Sequence, residues 1–328
     1  MRRREFITLV GGAATTWPLA VRAEQPDRTR RIGVLMGFAE SDPAAQSYVA
    51  AFRDALAKLG WAEGSNLRIE FRWGAADSDR IKTLAKELVD LRPDVIFDQT
   101  TPVTGALARE TTTIPIVFTY VGDPIGSGFA ASLARPGGNI TGFTYLEPTT
   151  GGKWVGLLKE IAPRTAHVAL LYNPATAPKF YMSSVQAAAS SLAIEASTAP
   201  VHARDEIEGV IAALARKPGA GLLVMPDVFN DANRELIIAL AARSGVPAIY
   251  PRPVFAESGG LIAYGADFME QFRQAAGYVD RILKGANPGD LPIQEPVKFN
   301  LTINVKTAKS LGLTIPTSLL VAAEEAIE

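Results

Sequence analysis

Residues 32–59 read IGVLMGFAESDPAAQSYVAAFRDALAKL. The run Ile32-Gly33-Val34-Leu35-Met36 is apolar without alternation, as in a strand buried on both faces. The glycine-containing loop Gly37 to Pro43 ends it. From Ala44 to Leu59, Tyr48, Phe52, Leu56 and Leu59 recur three or four apart, which predicts an amphipathic helix stopped by Gly60. A fully buried strand followed by a helix with one apolar stripe is the unit of a parallel sheet covered on both faces.

Outward from this stretch the unit repeats. Leu67 to Phe71 alternates as a strand, Ser78 to Leu91 is a helix with Ile81, Leu84, Leu88 and Leu91 on one side, and Asp94 to Phe97 and Ile116 to Thr119 are further strands. The rhythm restarts at His167. Strands are expected over Val168–Tyr172, Ile194–Pro200 (an edge), Gly221–Met225, Val246–Tyr250 and Gly260–Tyr264. Helices are expected over Lys179–Leu192, Ile207–Leu214 and Asn230–Ser244. Two successive α/β units of about 120 residues follow, each a doubly wound parallel sheet. A helix over Met269–Leu283, a strand over Lys298–Val305 and a short helix over Thr307–Leu311 are too few for a third domain. They must complete the earlier sheets, so crossings between lobes are expected near Tyr145, near Gly265 and within Asn287–Pro296. Several strands linking two lobes make a hinge above a cleft. The expected division is 28–145 plus about 266–296 for lobe 1, and 146–265 plus about 297–328 for lobe 2.

The N-terminus carries an address. Arg2-Arg3-Arg4 precedes an uncharged stretch from Phe6 to Val21, and Val21-Arg22-Ala23 supplies small residues for a signal peptidase, so residues 1–23 are predicted to be removed after Ala23. Arg3-Arg4-Glu5-Phe6-Ile7 resembles the twin-arginine export motif. The stretch is short for a membrane span and is interrupted by Gly11, Gly12 and Pro18. Its removal takes four arginines and one glutamate, moving the formal net charge from −1 to −4. A free protein of a Gram-negative periplasm is expected, without membrane insertion after cleavage.

Composition closes most chemistries. The 328 residues contain no cysteine and only two histidines, His167 and His202, which excludes disulfides, thiol catalysis and cysteine metal sites and leaves little for histidine chemistry. The near-neutral charge offers no basic footprint for nucleic acid. The GxxxxGK[ST], GxGxxG and GxSxG patterns are missing at the required strand–helix positions. No cofactor, no metal and no catalysis are expected.

In open parallel sheets, ligands bind beyond the carboxyl ends of strands, where helix N-termini converge. Those positions hold Phe38, Ser41 and Asp42; Thr100, Thr101, Pro102 and Thr104; Tyr120 and Asp123; then Asn173, Asp227, Tyr250 with Arg252, Tyr264 and Asp267. Hydroxyls, carboxylates, an amide and aromatic rings suit a small polar ligand with an apolar body. Ser41, Thr101 and Asn173 fit equally as caps of the following helices, and Asp227 fits either a cap or an ammonium partner.

These segments also carry a resemblance. Ile32 to Leu35, Phe52 to Gly64 (FRDALAKLGWAEG), Thr113 to Val117, Gly122-Asp123-Pro124 with Ser127-Gly128, Leu133 to Gly142 (LARPGGNITG), Gly259 to Gly265, Tyr278 to Gly285 and Leu311 to Pro316 together resemble ABC-transporter substrate-binding proteins of the tryptophan/tyrosine-uptake type. The resemblance implies a type I periplasmic binding fold (two lobes, three connections, ligand in the cleft) and no catalysis. It implies capture of a small ligand by hinge closure and delivery to a membrane permease with a cytoplasmic ATPase, the binder itself being a monomer. The ligand class implied is an amino acid, aromatic or branched apolar, or a related carboxylate. Phe38, Tyr120, Tyr145 and Tyr264 would supply the apolar wall, Thr100 and Thr101 would hold a carboxylate, and Asp123 or Asp227 an ammonium. The rival functions for the same fold are a sensor feeding a membrane signalling protein and, less favoured, an exported hydrolase.

Overall fold

The computed structural model describes residues 29–145, 147, 149–177 and 181–328; the predicted export segment lies outside them. The first unit runs β1 (Arg30–Met36), α1 (Pro43–Lys58), β2 (Leu67–Trp73), α2 (Ser78–Asp90), β3 (Val95–Gln99), α3 (Thr101–Glu110), β4 (Ile116–Val121) and β5 (Ile140–Thr144). Its sheet has the order β2-β1-β3-β4-β5, all parallel. Met36, Phe97 and Phe118 are wholly buried, as an apolar strand covered on both sides must be. The helix starts follow local chemistry. Asp42 accepts hydrogen bonds from the N–H groups of Ala44 and Ala45, with Pro43 in the first turn of α1, and Asp77 caps α2 in the same way.

The second unit runs α4 (Thr150–Ile161), β6 (His167–Tyr172), α5 (Met182–Ser191), β7 (Glu195–Pro200), α6 (Glu206–Ala215), β8 (Ala220–Val224), α7 (Val228–Ala232), α8 (Arg234–Arg243), β9 (Ala248–Tyr250), α9 (Pro253–Glu257) and β10 (Ile262–Ala266). The tail adds α10 (Phe268–Leu283), β11 (Phe299–Asn304), α11 (Val305–Ser310), α12 (Thr317–Ala322) and β12 (Glu325–Ile327). The second sheet has the order β12-β11-β10-β9-β8-β6-β7, and its one antiparallel pair is β10–β11.

The chain changes sheets between β5 and α4, between β10 and α10, and between α10 and β11. Helix α10 returns to the first sheet, where Phe272 packs edge-on against Phe97 at 5.1 Å and against Tyr48 of α1 at 5.2 Å. The third connection runs along β5 before leaving it, with the Gln294 N–H donating to the Gly142 carbonyl and Thr144 N–H to the Gln294 carbonyl. The fold is therefore α/β, with two lobes of largely parallel sheet.

One expected helix divides in the structure, and β5 and α4 form where the sequence carries no local signal for them. The helix expected over Asn230–Ser244 is two helices, because α7 begins earlier behind its Asp227 cap and the chain breaks at Asn233. There the Asn233 side chain donates to the Phe229 carbonyl and accepts from Arg204. β5 carries no periodic signal, since Gly142 interrupts it. A Cβ on Gly142 would stand 2.2 Å from the Phe118 carbonyl oxygen, so close strand approach requires the glycine. Helix α4 opens on Thr-Gly-Gly, a poor helix start by propensity, and is held by burial of Trp154, Leu158 and Ile161.

Candidate functional site

The carboxyl ends of β3 and β4 in the first lobe face the loops after β8 and β9 in the second. Two residues there have left-handed backbone, Thr100 at φ +88° and Tyr120 at φ +55°. For a β-branched or bulky residue this costs on the order of 1–3 kcal/mol and persists only where the surroundings enforce it. Thr100 closes β3 with its side chain packed on Gly37, where a Cβ would stand 2.5 Å from the Thr100 Oγ1. Tyr120 lies in the irregularity that shifts the β4–β5 register between Phe118 and Val121. Such a bulge re-aims a side chain, and here it sends the Tyr120 ring across the cleft.

At the far side stands an ion pair with almost no solvent contact. Arg252 Nε and Nη2 donate to Asp231 Oδ1 at 2.9 and 2.7 Å, and the two side chains are 0% and 1% exposed. First-lobe groups complete its coordination. Tyr120 Oη donates to Asp231 Oδ2 at 2.6 Å, and Arg252 Nη1 donates to Tyr48 Oη at 3.2 Å. The guanidinium lies 4.9 Å from the centre of the Phe38 ring, a desolvated cation–π contact. Tyr145 stacks on Tyr120 at 4.8 Å and donates to the Pro226 carbonyl at 2.9 Å, while Phe268 leans on Tyr120 at 4.6 Å. Phe38, Tyr48, Tyr120, Tyr145 and Phe268 thus form an aromatic cage from the first lobe around a charge pair from the second.

The electrostatics follow from burial. Burial raises the Asp231 pKa, opposed by the charge of Arg252 and the Tyr120 hydroxyl. Burial alone would lower the Arg252 pKa, but Asp231, Tyr48 and Tyr120 outweigh it and hold the guanidinium charged. Tyr120 and Tyr145 are pushed well above the ordinary phenol value by burial and nearby carboxylates, so both remain neutral donors. A buried guanidinium with planar paired donors suits a carboxylate, and the adjacent carboxylate suits an ammonium. In this structure both groups are already paired within the protein, so they become open to a zwitterion with an apolar side chain only where the Tyr48 and Tyr120 hydroxyls withdraw with the first lobe.

Nearer the rim, Arg234 Nη1 meets Asp42 Oδ2 at 2.7 Å across the lobes, with side chains 15% and 9% exposed. A cation at the first turn of α8 opposes the helix dipole, so its placement is repaid by the partner on the other lobe. Of three open cavities between residues of the two lobes, two are lined in part by cage residues. One of about 470 Å³ is lined by Phe38, Ser41, Asp42, Arg204 and Arg234. One of about 560 Å³ is lined by Thr101, Pro102, Arg109, Asp123 and Thr176. One of about 570 Å³ is lined by Tyr48, Glu257, Asp267, Phe268 and Lys298.

Residues 32–327 match the family described as ABC transporter substrate binding protein. The chain belongs to that family. This substrate-binding protein is 26% identical over 290 residues to the "Tyrosine-binding protein" of Clostridioides difficile, covering 87% of this chain and 82% of the relative. Among solved structures, a conserved domain protein from Vibrio cholerae superposes with a TM-score of 0.83 at 29% identity. An ABC domain from Streptococcus pneumonia in complex with L-Trp superposes with a TM-score of 0.82 at 26% identity. Each superposition covers 91% of this chain and 100% of the other. The fold is that of the type I periplasmic binding proteins, and the family is one of binders, not enzymes.

Within the substrate-binding protein, the positions expected from sequence are dispersed. Phe38, Tyr120 and Tyr145 join the cage, and Thr100 is buried beneath it. Ser41, Thr101, Pro102 and Asp123 line the open cavities, with Asp123 accepting from the Gly126 N–H of its own turn at 2.7 Å. Asn173 and Asp227 bind each other inside the second lobe. Asp227 accepts from the N–H groups of Asn173 and Asn230, and burial raises its pKa to about 7 against those bonds. Tyr264 stacks on Phe299 at 5.7 Å, away from the cage. Asp267 caps α10 and pairs with Lys298 at 2.8 Å on the hinge side.

Arg252 stood at a strand-end position in the sequence. Asp231, Tyr48, Phe268, Gln99 and Arg234 did not stand out. Asp231 sits one helical turn past Asp227, a spacing that put it on a helix surface rather than at a strand end. Gln99 lies two residues past the strand expected over Asp94 to Phe97 and closes β3 in the structure, where only its burial marks it: it is 0% exposed, and neither amide atom has a hydrogen-bond partner among the described residues.

Proposed function

We propose that this protein is the solute-binding component of an ABC importer that takes up an aromatic amino acid. The observation that carries the reading is the buried Arg252–Asp231 pair enclosed by Phe38, Tyr48, Tyr120, Tyr145 and Phe268. The ligand α-carboxylate takes the Arg252 guanidinium, its α-ammonium takes Asp231, and the cage covers the ring. The names of two relatives, one a tyrosine-binding protein and one crystallised with L-Trp, support the same ligand class. In the free protein the two charges neutralise each other, which keeps the site from presenting an unpaired buried charge.

Capture works by closure. The lobes, 28–145 with 266–296 and 146–265 with 297–328, turn about the three connections, and the ligand stabilises the closed form through contacts with both that the open form lacks. The closed surface then docks on a permease served by a cytoplasmic ATPase. Residues 1–23 direct export by the twin-arginine route, placing the mature monomer in the periplasm. Among the described residues no helix is long and apolar enough to cross a membrane.

Mass spectrometry of small molecules released on denaturing the purified protein, followed by titration calorimetry against the amino acids, tests the reading. An aromatic amino acid bound at micromolar concentration or below, and lost in Arg252→Met, is the expected result. Binding of a sugar or polyol instead, indifferent to Arg252→Met, would refute it.

A further inference from the structure

Among the described residues of the first lobe, three buried side chains with unpartnered polar atoms lie under the aromatic cage, while a fourth, Asp98 with its Oδ2, sits on the other face of β3 toward Thr104. Gln99 has neither amide atom satisfied, Thr100 Oγ1 has no partner, and Gln271 uses its Nε2 on the Thr144 carbonyl at 2.9 Å while its Oε1 is left without one. All three side chains are more than nine-tenths buried. Native interiors leave few such atoms, and each costs about as much as a lost hydrogen bond.

Their position follows from the periodicity of the elements. On β3, Val95, Phe97 and Gln99 share the face toward α1 and α10, because side chains alternate along a strand. Phe97 is clasped by Phe52 of α1 at 4.3 Å and Phe272 of α10 at 5.1 Å. Two residues along a strand advance about 6.6 Å, close to the roughly 5.4 Å of one helical turn. Tyr48 and Phe268 precede Phe52 and Phe272 by one turn, and both approach the cleft, Tyr48 through Arg252 and Phe268 through Tyr120. Gln99 therefore stands level with Tyr48 and Phe268, at the floor of the cage and on the opposite side from the Arg252–Asp231 pair.

We infer that Gln99 is a specificity-determining residue whose amide reads a hydrogen-bonding tip on the ligand's aromatic side chain. The inference rests on the aromatic amino acid reading above. With the α-carboxylate and α-ammonium held by Arg252 and Asp231, the ring points from the second lobe into the cage, and its distal end comes to the floor. There the Gln99 Oε1 accepts from a phenol O–H or an indole N–H, and its Nε2 can donate to the phenol oxygen. L-Phenylalanine offers neither and leaves the amide unsatisfied. A site built to hydrogen-bond a ligand group rejects the analogue lacking it far more strongly than an apolar pocket rejects a change of size. The strained Thr100 next to it holds the end of β3 in place, so that the amide faces the cage rather than turning out with the loop.

Titration calorimetry with L-tyrosine, L-tryptophan and L-phenylalanine on the native protein and on Gln99→Met tests the assignment, with thermal unfolding as a control. The native protein should bind L-tyrosine or L-tryptophan about 10- to 100-fold more tightly than L-phenylalanine. Gln99→Met, similar in size and without donors or acceptors, should bring that ratio to within about threefold while L-phenylalanine affinity is kept or improved. The native ratio needs no variant and stands even if Gln99→Met folds poorly. A native protein that binds all three equally, or a Gln99→Met variant with an unchanged ratio, overturns the role of Gln99 and leaves the aromatic reading intact. Failure of all three to bind the native protein overturns both.

Discussion

Asp42 and Arg234 face each other from opposite lobes at 2.7 Å, mostly screened from solvent, so neutralising either should weaken every ligand by the same factor. Opening the cleft separates the pair and returns both groups to water, so its energy belongs only to the closed form. Hydrogen bonds to charged groups contribute about 1.5–3 kcal/mol, and close charge pairs across interfaces couple by at least about 1.5 kcal/mol. Taking about 2 kcal/mol, loss of the pair lowers the closed-to-open ratio about 30-fold. The apparent dissociation constant rises by the same factor wherever the closed form is a minority of the free protein. Asp42→Asn is the informative change, because asparagine keeps an oxygen to cap Ala44 and Ala45 at the start of α1. Arg234→Gln removes the partner charge, and the double variant completes the cycle. Calorimetry on the three variants should show about 30-fold weaker binding in each single variant and little further loss in the double, with dissociation faster and association nearly unchanged. Small-angle scattering at a ligand concentration that just closes the native protein should show a larger radius of gyration in the variants, while the free proteins scatter alike. Additive losses, or dissociation constants within twofold of the native protein, would refute the latch.

Asp231→Asn leaves Arg252 buried without its counter-charge and should destabilise by about 3–5 kcal/mol, as well as abolish binding, by denaturant unfolding and calorimetry. Asp227 has a folded pKa of about 7, raised mainly by burial from 3.8, so the folded chain holds this proton more tightly than the unfolded one. Its contribution is complete below about pH 4 and is lost as pH rises through 7, at up to about 1.4 kcal/mol per pH unit. Stability measured from pH 4 to 8 should fall more steeply in the native protein than in Asp227→Asn, and parallel curves would contradict this. Phe97→Ala, which empties the seat between Phe52 and Phe272, should cost about 3–5 kcal/mol in urea unfolding. Gly142→Ala forces a Cβ against the Phe118 carbonyl and should destabilise by about 3 kcal/mol or more; a Tm within 2 °C of native would show that the strands can part there.

Much of the architecture was legible because its causes are local. The apolar run at Ile32–Met36 and the stripe Tyr48–Phe52–Leu56 specify a strand and a helix within a few residues of chain, although the side chain that caps that helix is Asp42 and not the Ser41 expected from the sequence. Elements lacking a local cause were not legible. β5 depends on the carbonyl of Phe118 meeting Gly142, and α4 on a surface that buries Trp154. The split at Asn233 arises because its side chain satisfies backbone and Arg204 at once.

The same division runs through the site. Strand-end position picked out Phe38, Tyr120 and Arg252, since the carboxyl ends of parallel strands converge whatever the rest of the chain does, and the family resemblance added Tyr145. The partner of Arg252 is a different matter. Asp231 comes from a helix 21 residues earlier, Tyr48 from 204 residues earlier, and Tyr120 from the other lobe. Sequence by itself determined the alternation of elements and the set of loops that face the cleft, because these rest on periodicity and local chemistry, and its motifs carried the resemblance to the family. Which side chains meet in it was decided only by the tertiary structure. Pairing a buried charge requires a partner at about 3 Å, and only the docking of the two lobes brings these groups that close.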